Sequence, residues 1–148
     1  MGRVPRTSLP DGYFHVFARG AAGGQIFRDD ADRSAFLRLL TPCGRRHAWT
    51  CHAFTLLSTH YHLVVESTRE NLSAGLHRLN GGYARLFNKR HGLFGHVFAE
   101  RFSARLIDGD EYLYDACEYV LLNPVKAGLC DRAEEWPWSY SRFGLDAD

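Results

Sequence analysis

The chain has 148 residues, the size of one domain that buries about two-thirds of the surface its unfolded form exposes. Its 45% hydrophobic and 24% charged residues exclude a disordered or fibrous chain, and no stretch reaches the roughly 20 uninterrupted apolar residues of a membrane helix. Lys and Arg number 18 against 17 Asp and Glu, so the net charge of +1 does not by itself mark a nucleic-acid binder.

Residues 1–11 carry two prolines and little periodicity, which reads as an N-terminal arm on a single domain spanning 1–148. The arm lacks the apolar core of a signal peptide, which places the protein in the cytoplasm. Tyr13 to Arg19 alternates as a strand, with Phe14, Val16 and Ala18 on one face and His15, Phe17 and Arg19 on the other. Asp29 or Asp30 opens a helix through Phe36, Leu37 and Leu40, which Pro42 is expected to kink or stop. Residues 49–58 and 60–67 read as two strands of a hairpin.

Asn71 is placed to cap a second helix, in which Leu72, Leu76, Leu79, Tyr83 and Leu86 recur at helical spacing. Gly81-Gly82 in its middle predicts a bend or a close approach, and His91-Gly92 its end. Residues 97–107 read as a fourth strand. Asp108 with Glu111 forms a capping-box pattern for a last helix that buries Leu113, Ala116, Cys117, Val120 and Leu121 and that Pro124 is expected to end. The tail, residues 129–148, carries two tryptophans expected to pack back onto the sheet.

The order is β-α-β-β-α-β-α. Its first six elements predict an α+β fold, a ferredoxin-like (split βαβ) antiparallel sheet with helices on one face and the opposite face open for a ligand. The four cysteines (Cys43, Cys51, Cys117, Cys130) contain no CxxC pair, so they read as reduced, semi-buried thiols instead of a zinc site. Acidic residues gather at 108–118 and 131–135. Basic ones gather at 78–105 as Arg78, Arg85, Lys89, Arg90, Arg101 and Arg105. Such a basic third suits phosphate contact, although charge alone equally describes a solvated helix face.

His60-Tyr61-His62 interrupts an apolar strand. Alternation puts both histidines on one face, about 7 Å apart at Cα, where two imidazoles can converge on one metal ion. It also puts Tyr61, Leu63 and Val65 on the core side, so the histidines point to the open face. Read alone, they are equally two ordinary histidines near a strand start. In the last helix Tyr119 and Asn123 are one turn apart on a side shared with Tyr112 and Asp115, and core packing with the phenol hydroxyl at the rim is the plainer reading of that tyrosine.

Five segments taken in order change the balance: YFHVFARG at 13–20, THYHL at 59–63, GYARLFN at 82–88, GHVFAERF at 95–102 and YVLLNPV at 119–125. Over about residues 12–143 the sequence resembles the HUH single-tyrosine transposases, and within them the REP-associated tyrosine transposases. The resemblance implies that His60 and His62 hold a divalent metal, Mg²⁺ or Mn²⁺. It makes Tyr119 the nucleophile, on the helix added after the ferredoxin-like core, and Asn123 the third metal ligand, where many relatives carry glutamine. It implies attack on single-stranded or hairpin DNA, with a 5′-phosphotyrosine link and a free 3′-hydroxyl. That link conserves the phosphodiester energy for rejoining.

On this reading Arg78, Arg85, Lys89, Arg101 and Arg105 are candidates for phosphate contact. Arg19 and His15 face the same side as the histidine pair, and Tyr13, Phe14 and Phe17 are candidates for base stacking. The protein would act as a monomer or a homodimer, with Tyr119 serving its own histidine pair or a partner's. Two readings stand against it. One is a non-catalytic binder of structured DNA derived from such an enzyme. The other is an RNA-binding domain, which lacks support because residues 60–67 and 97–107 do not carry paired aromatics in the RNP pattern.

Overall fold

The computed structural model describes residues 12–99 and 102–144. Strand β1 (Gly12–Arg19) is followed by a short 3₁₀ turn, helix α1 (Asp30–Arg46) and strands β2 (Thr50–Leu56) and β3 (His60–Ser67). Helix α2 (Arg69–His91), strand β4 (Ser103–Ile107), helix α3 (Asp110–Lys126) and strand β5 (Ser139–Ser141) complete the chain. The strands form one antiparallel sheet in the order β4-β1-β3-β2-β5. Its first four strands have the expected ferredoxin-like arrangement.

The alternation read from the sequence decides which face each helix covers. Phe14, Val16, Ala18, Tyr61, Leu63 and Val65 point to one face and bury against Phe36 and Leu40 of α1 and Leu72, Leu76, Leu79 and Tyr83 of α2. Each such side chain contributes about 1.5–3 kcal/mol by leaving water. Tyr61 and Tyr83 are buried whole because their hydroxyls donate to Asn80 Oδ1 and to the Ile26 carbonyl. On the other face Ala53 and Val64 meet Leu113, Cys117 and Val120 of α3. That face is therefore only half open, because α3 lies across its β2–β3 half.

Several local expectations give way to packing. Helix α1 runs through Pro42 to Arg46, and α3 runs through Pro124 to Lys126. An internal proline costs about 3 kcal/mol. Burial of Leu40 and Cys43 around Pro42, and of Leu121 and Asn123 before Pro124, offsets it. Thr68, not Asn71, caps α2, its hydroxyl accepting from the Asn71 N–H at 3.1 Å. Gly109 (φ +99°) stands at the start of α3 with no side-chain cap, so the Asp108–Glu111 box does not form. Asp29 caps α1 as expected. Leu86 is exposed and Phe87 takes its place in the core.

Gly81-Gly82 does not interrupt α2, which is continuous from Arg69 to His91, and a Cβ at either would meet its nearest atom at an ordinary 3.7 or 3.8 Å. The close approach is at Gly75, where a Cβ would stand 2.3 Å from Trp49 Cζ2. Of the strand expected over 97–107, Ser103–Ile107 pairs as β4 and Phe98 makes a single bridge to Gly20. The tail does return to the sheet. Trp136 Nε1 donates to the Leu56 carbonyl at 3.0 Å, and the unforeseen β5 pairs with β2. All four cysteines are free thiols, Cys43 and Cys117 buried and Cys51 and Cys130 half-buried. The N-terminal arm lies outside the described residues.

Candidate metal and nucleophile site

Strand β3 supplies the first two residues. In the β1–β3 register Phe17 faces His62 and Arg19 faces His60, so His60, His62, His15 and Phe17 share the face opposite α1 and α2. The rings are packed together: His60 and His62 have centroids 5.3 Å apart, and Phe17 lies 5.3 Å from one and 5.0 Å from the other. His15 Nε2 is 2.9 Å from His62 Nδ1, and Thr59 Oγ1 is 3.1 Å from His60 Nδ1. Both histidines of the pair are thus engaged at Nδ1. With the bond's proton on Nδ1, the Nε2 lone pair is left for a cation.

Helix α3 supplies the rest. Because Leu113, Cys117 and Val120 dock on the sheet, the flanking side of the helix turns Tyr119 and Asn123 toward the histidines. The Tyr119 ring stands 5.6 Å from His15 and 5.9 Å from His62, edge to face with both. Asn123 is buried beside His60 and His62, and its Nδ2 donates to the Tyr119 carbonyl at 3.4 Å. The Tyr119 ring remains half-exposed, and Lys126 Nζ sits 4.6 Å from its centroid.

Burial and neighbouring rings keep the imidazoles neutral. Desolvation, then the nearby His15 and His60, push His62 down to about 3. Desolvation also lowers His60, and His15 is lowered by burial and by the Arg105 guanidinium. Neutral imidazole is the form that binds a metal. Two imidazoles held at Nδ1, with a carboxamide beside them, are a donor set of a kind that fits one divalent ion. Among the described residues no group of three His, Cys, Asp or Glu is placed to hold a metal ion, and the Asn123 carboxamide lies beside the histidine pair.

The DNA candidates divide. Arg19 and Arg105 are exposed on strands flanking the site, Arg105 opposite His15 in register. Arg78, Arg85 and Lys89 lie on α2, in the helical layer behind the sheet, and do not join the site. Arg101 lies outside the described residues. Phe14 is buried in the core and is not available to a base. The Tyr13 hydroxyl donates to Asp110 Oδ1. Two participants escaped the sequence reading: Phe17 as a wall for both histidines, and Lys126, whose place seven residues beyond Tyr119 on one helix face was a usable signal.

This combination of a β4-β1-β3-β2 sheet, helices behind it and a tyrosine-bearing helix in front is a fold shared with transposases. A structure of a REP-associated tyrosine transposase bound to a REP hairpin aligns over 94% of this chain and 82% of its own, at 17% identity and a TM-score of 0.71. A candidate transposase from Deinococcus radiodurans R1 aligns over 83% of this chain and 94% of its own, at 13% identity and a TM-score of 0.54. No protein-family model and no curated protein matches the sequence. No helix among the described residues is long and apolar enough to cross a membrane.

Proposed function

We propose that the chain is a metal-dependent DNA-nicking and DNA-joining enzyme of the tyrosine transposase kind, acting on single-stranded or hairpin DNA. The observation that carries the proposal is the meeting of two consecutive turns of α3 with β1 and β3: the Tyr119 ring edge-on to His15 and His62, with Asn123 buried one turn further on, beside the histidine pair. Tyr119 is half-exposed beside the histidine cluster, which leaves its phenol within reach of a substrate.

His60, His62 and Asn123 would hold Mg²⁺ or Mn²⁺. A bound divalent ion supplies polarisation of the scissile phosphate and stabilisation of the leaving oxygen. The Tyr119 phenol attacks phosphorus in line. The new bond joins its oxygen to the 5′-phosphate, and the bond to the 3′-oxygen breaks, leaving a 3′-hydroxyl. Lys126, beside the ring, and Arg105 and Arg19, on the flanking strands, compensate the phosphate charge. Phe17 and α3 exclude water from the inner side of the histidines. A second 3′-hydroxyl reverses the step and joins the strands without an external energy source.

The test is covalent capture. A labelled hairpin oligonucleotide with single-stranded flanks, incubated with the protein and Mn²⁺, should give a slow-migrating adduct on a denaturing gel. The adduct should vanish with a chelator and with Tyr119→Phe, while Tyr119→Phe still binds the oligonucleotide. Binding without any adduct across a broad pool of hairpins would return Tyr119 to a packing role and leave a non-catalytic DNA-binding protein.

A further inference from the structure

Phe94 is 98% exposed, whereas no other large apolar side chain among the described residues exceeds 52%. A phenylalanine so placed forgoes the roughly 1.5–3 kcal/mol that burial would contribute. Its loop is nevertheless built, not slack. Gly92 (φ +65°) and Gly95 (φ +87°) bracket Leu93-Phe94 in left-handed conformations that other residues rarely adopt. The Asn88 carbonyl accepts from the backbone N–H groups of Gly92 and Leu93, and the Asn88 amide donates to the Gly95 carbonyl at 3.0 Å. One side chain and two glycines thus hold an aromatic ring out into solvent.

The loop is fastened to the sheet end that carries the candidate site. Ala21 N–H donates to the Val97 carbonyl and Ala99 N–H donates to the Arg19 carbonyl, both at 2.9 Å, and Arg19 pairs with His60. The surroundings favour an anionic partner. From Asn71 through Ala99 the sequence contains no Asp or Glu, while Arg78, Arg85, Lys89 and Arg90 fall within it. Arg90 is neutralised by Asp29 and Asp32, and Lys89 is exposed.

We infer that Phe94 is a stacking platform for one unpaired base of the DNA that enters the site past Arg19 and His60. An aromatic face accepts any base, and a pre-ordered loop loses little freedom on binding. The backbone phosphates of the same strand meet Arg19, exposed opposite His60 in register. This inference rests on the DNA-acting reading above and adds a substrate-positioning residue to it.

The experiment separates the two. Binding is measured with Tyr119→Phe protein, so that no cleavage intervenes, and with hairpin oligonucleotides carrying 2-aminopurine at successive single-stranded positions. One position should be quenched on binding. Phe94→Ala should abolish that quenching and weaken binding about tenfold, and Phe94→Trp should restore both. Equal affinity and equal quenching with Phe94→Ala would overturn the inference while leaving the nucleophile assignment standing. A Phe94→Ala protein that loses self-association in sedimentation, with DNA affinity unchanged, would also overturn it by making the ring a contact between copies. Failure of the parent protein to bind any of these oligonucleotides would remove the DNA-acting reading and this inference together.

Discussion

His15 shows how a residue acquires a role from its partner across the sheet. Its place opposite Val64 in the β1–β3 register brings its Nε2 to 2.9 Å from His62 Nδ1. A partner at the second nitrogen of a metal-binding imidazole fixes its tautomer and orientation. His15→Ala should therefore lower Mn²⁺ affinity by about tenfold without unfolding the protein. His15→Gln, whose amide can still meet Nδ1, should retain most of that affinity. Titration calorimetry of both variants checks the point, with the melting temperature as the control for folding. On the proposed metal site His62→Ala removes one of the ligands and should lose Mn²⁺ binding and adduct formation together. Strand periodicity put the histidine pair on one face, and the candidate roles of the pair, Tyr119 and Asn123 came from the resemblance to the tyrosine transposases. The His15–His62 contact was not legible, because period-2 alternation gives a face but no partner on the neighbouring strand.

Glycine placement separates backbone freedom from packing at the level of a helix. At Gly75 an added Cβ would meet Trp49 Cζ2 at 2.3 Å and Cε2 at 2.8 Å, both atoms of a rigid ring between α2 and the end of α1. Gly75→Ala should destabilise the protein by about 1–3 kcal/mol through overpacking. At Gly81 the nearest atom is Arg85 Nη1 at 3.7 Å, the movable end of a surface side chain. Gly81→Ala should instead stabilise α2 by about 1 kcal/mol, the helix preference of alanine over glycine. Urea denaturation of the two variants reads opposite signs from the same substitution. Element existence and order were legible because apolar spacing distinguishes strands from helices. Helix ends were legible at Asp29 and at His91-Gly92 but not at the prolines. Pro42 and Pro124 break helices in isolation, but here the buried residues beside them hold the helix on both sides.

For the whole molecule, the two helices behind the sheet are joined at their ends by charge. Arg90 near the end of α2 donates to both oxygens of Asp29, the cap of α1, and to Asp32 Oδ1, while His91 Nε2 meets Asp32 Oδ2 at 2.9 Å. The Arg90 guanidinium, with the Asp32 backbone N–H, holds the Asp29 carboxyl well below the usual carboxylate range. A carboxylate depressed in the folded state adds stability above its unfolded value of about 4 and loses it as pH falls further. The urea midpoint should accordingly decline below about pH 4, and Arg90→Ala should make that decline shallower, starting from a lower midpoint at pH 7. The pair is exposed, so its effect is modest and should shrink in high salt.

The order of the seven helices and strands before β5 and the inward and outward faces of β1 and β3 are written in the sequence. Those properties follow from the periods of the strand and the helix, which are local. Tertiary structure alone decided that α3 crosses the second face of the sheet, so that Tyr119 and Asn123 arrive at His60 and His62 while Arg78, Arg85 and Lys89 remain behind it. It also decided the His15 contact, the Gly75–Trp49 approach and the edge strand β5. These depend on residues far apart in the chain packing against one another, and local periodicity carries no information about which distant surface a side chain will face.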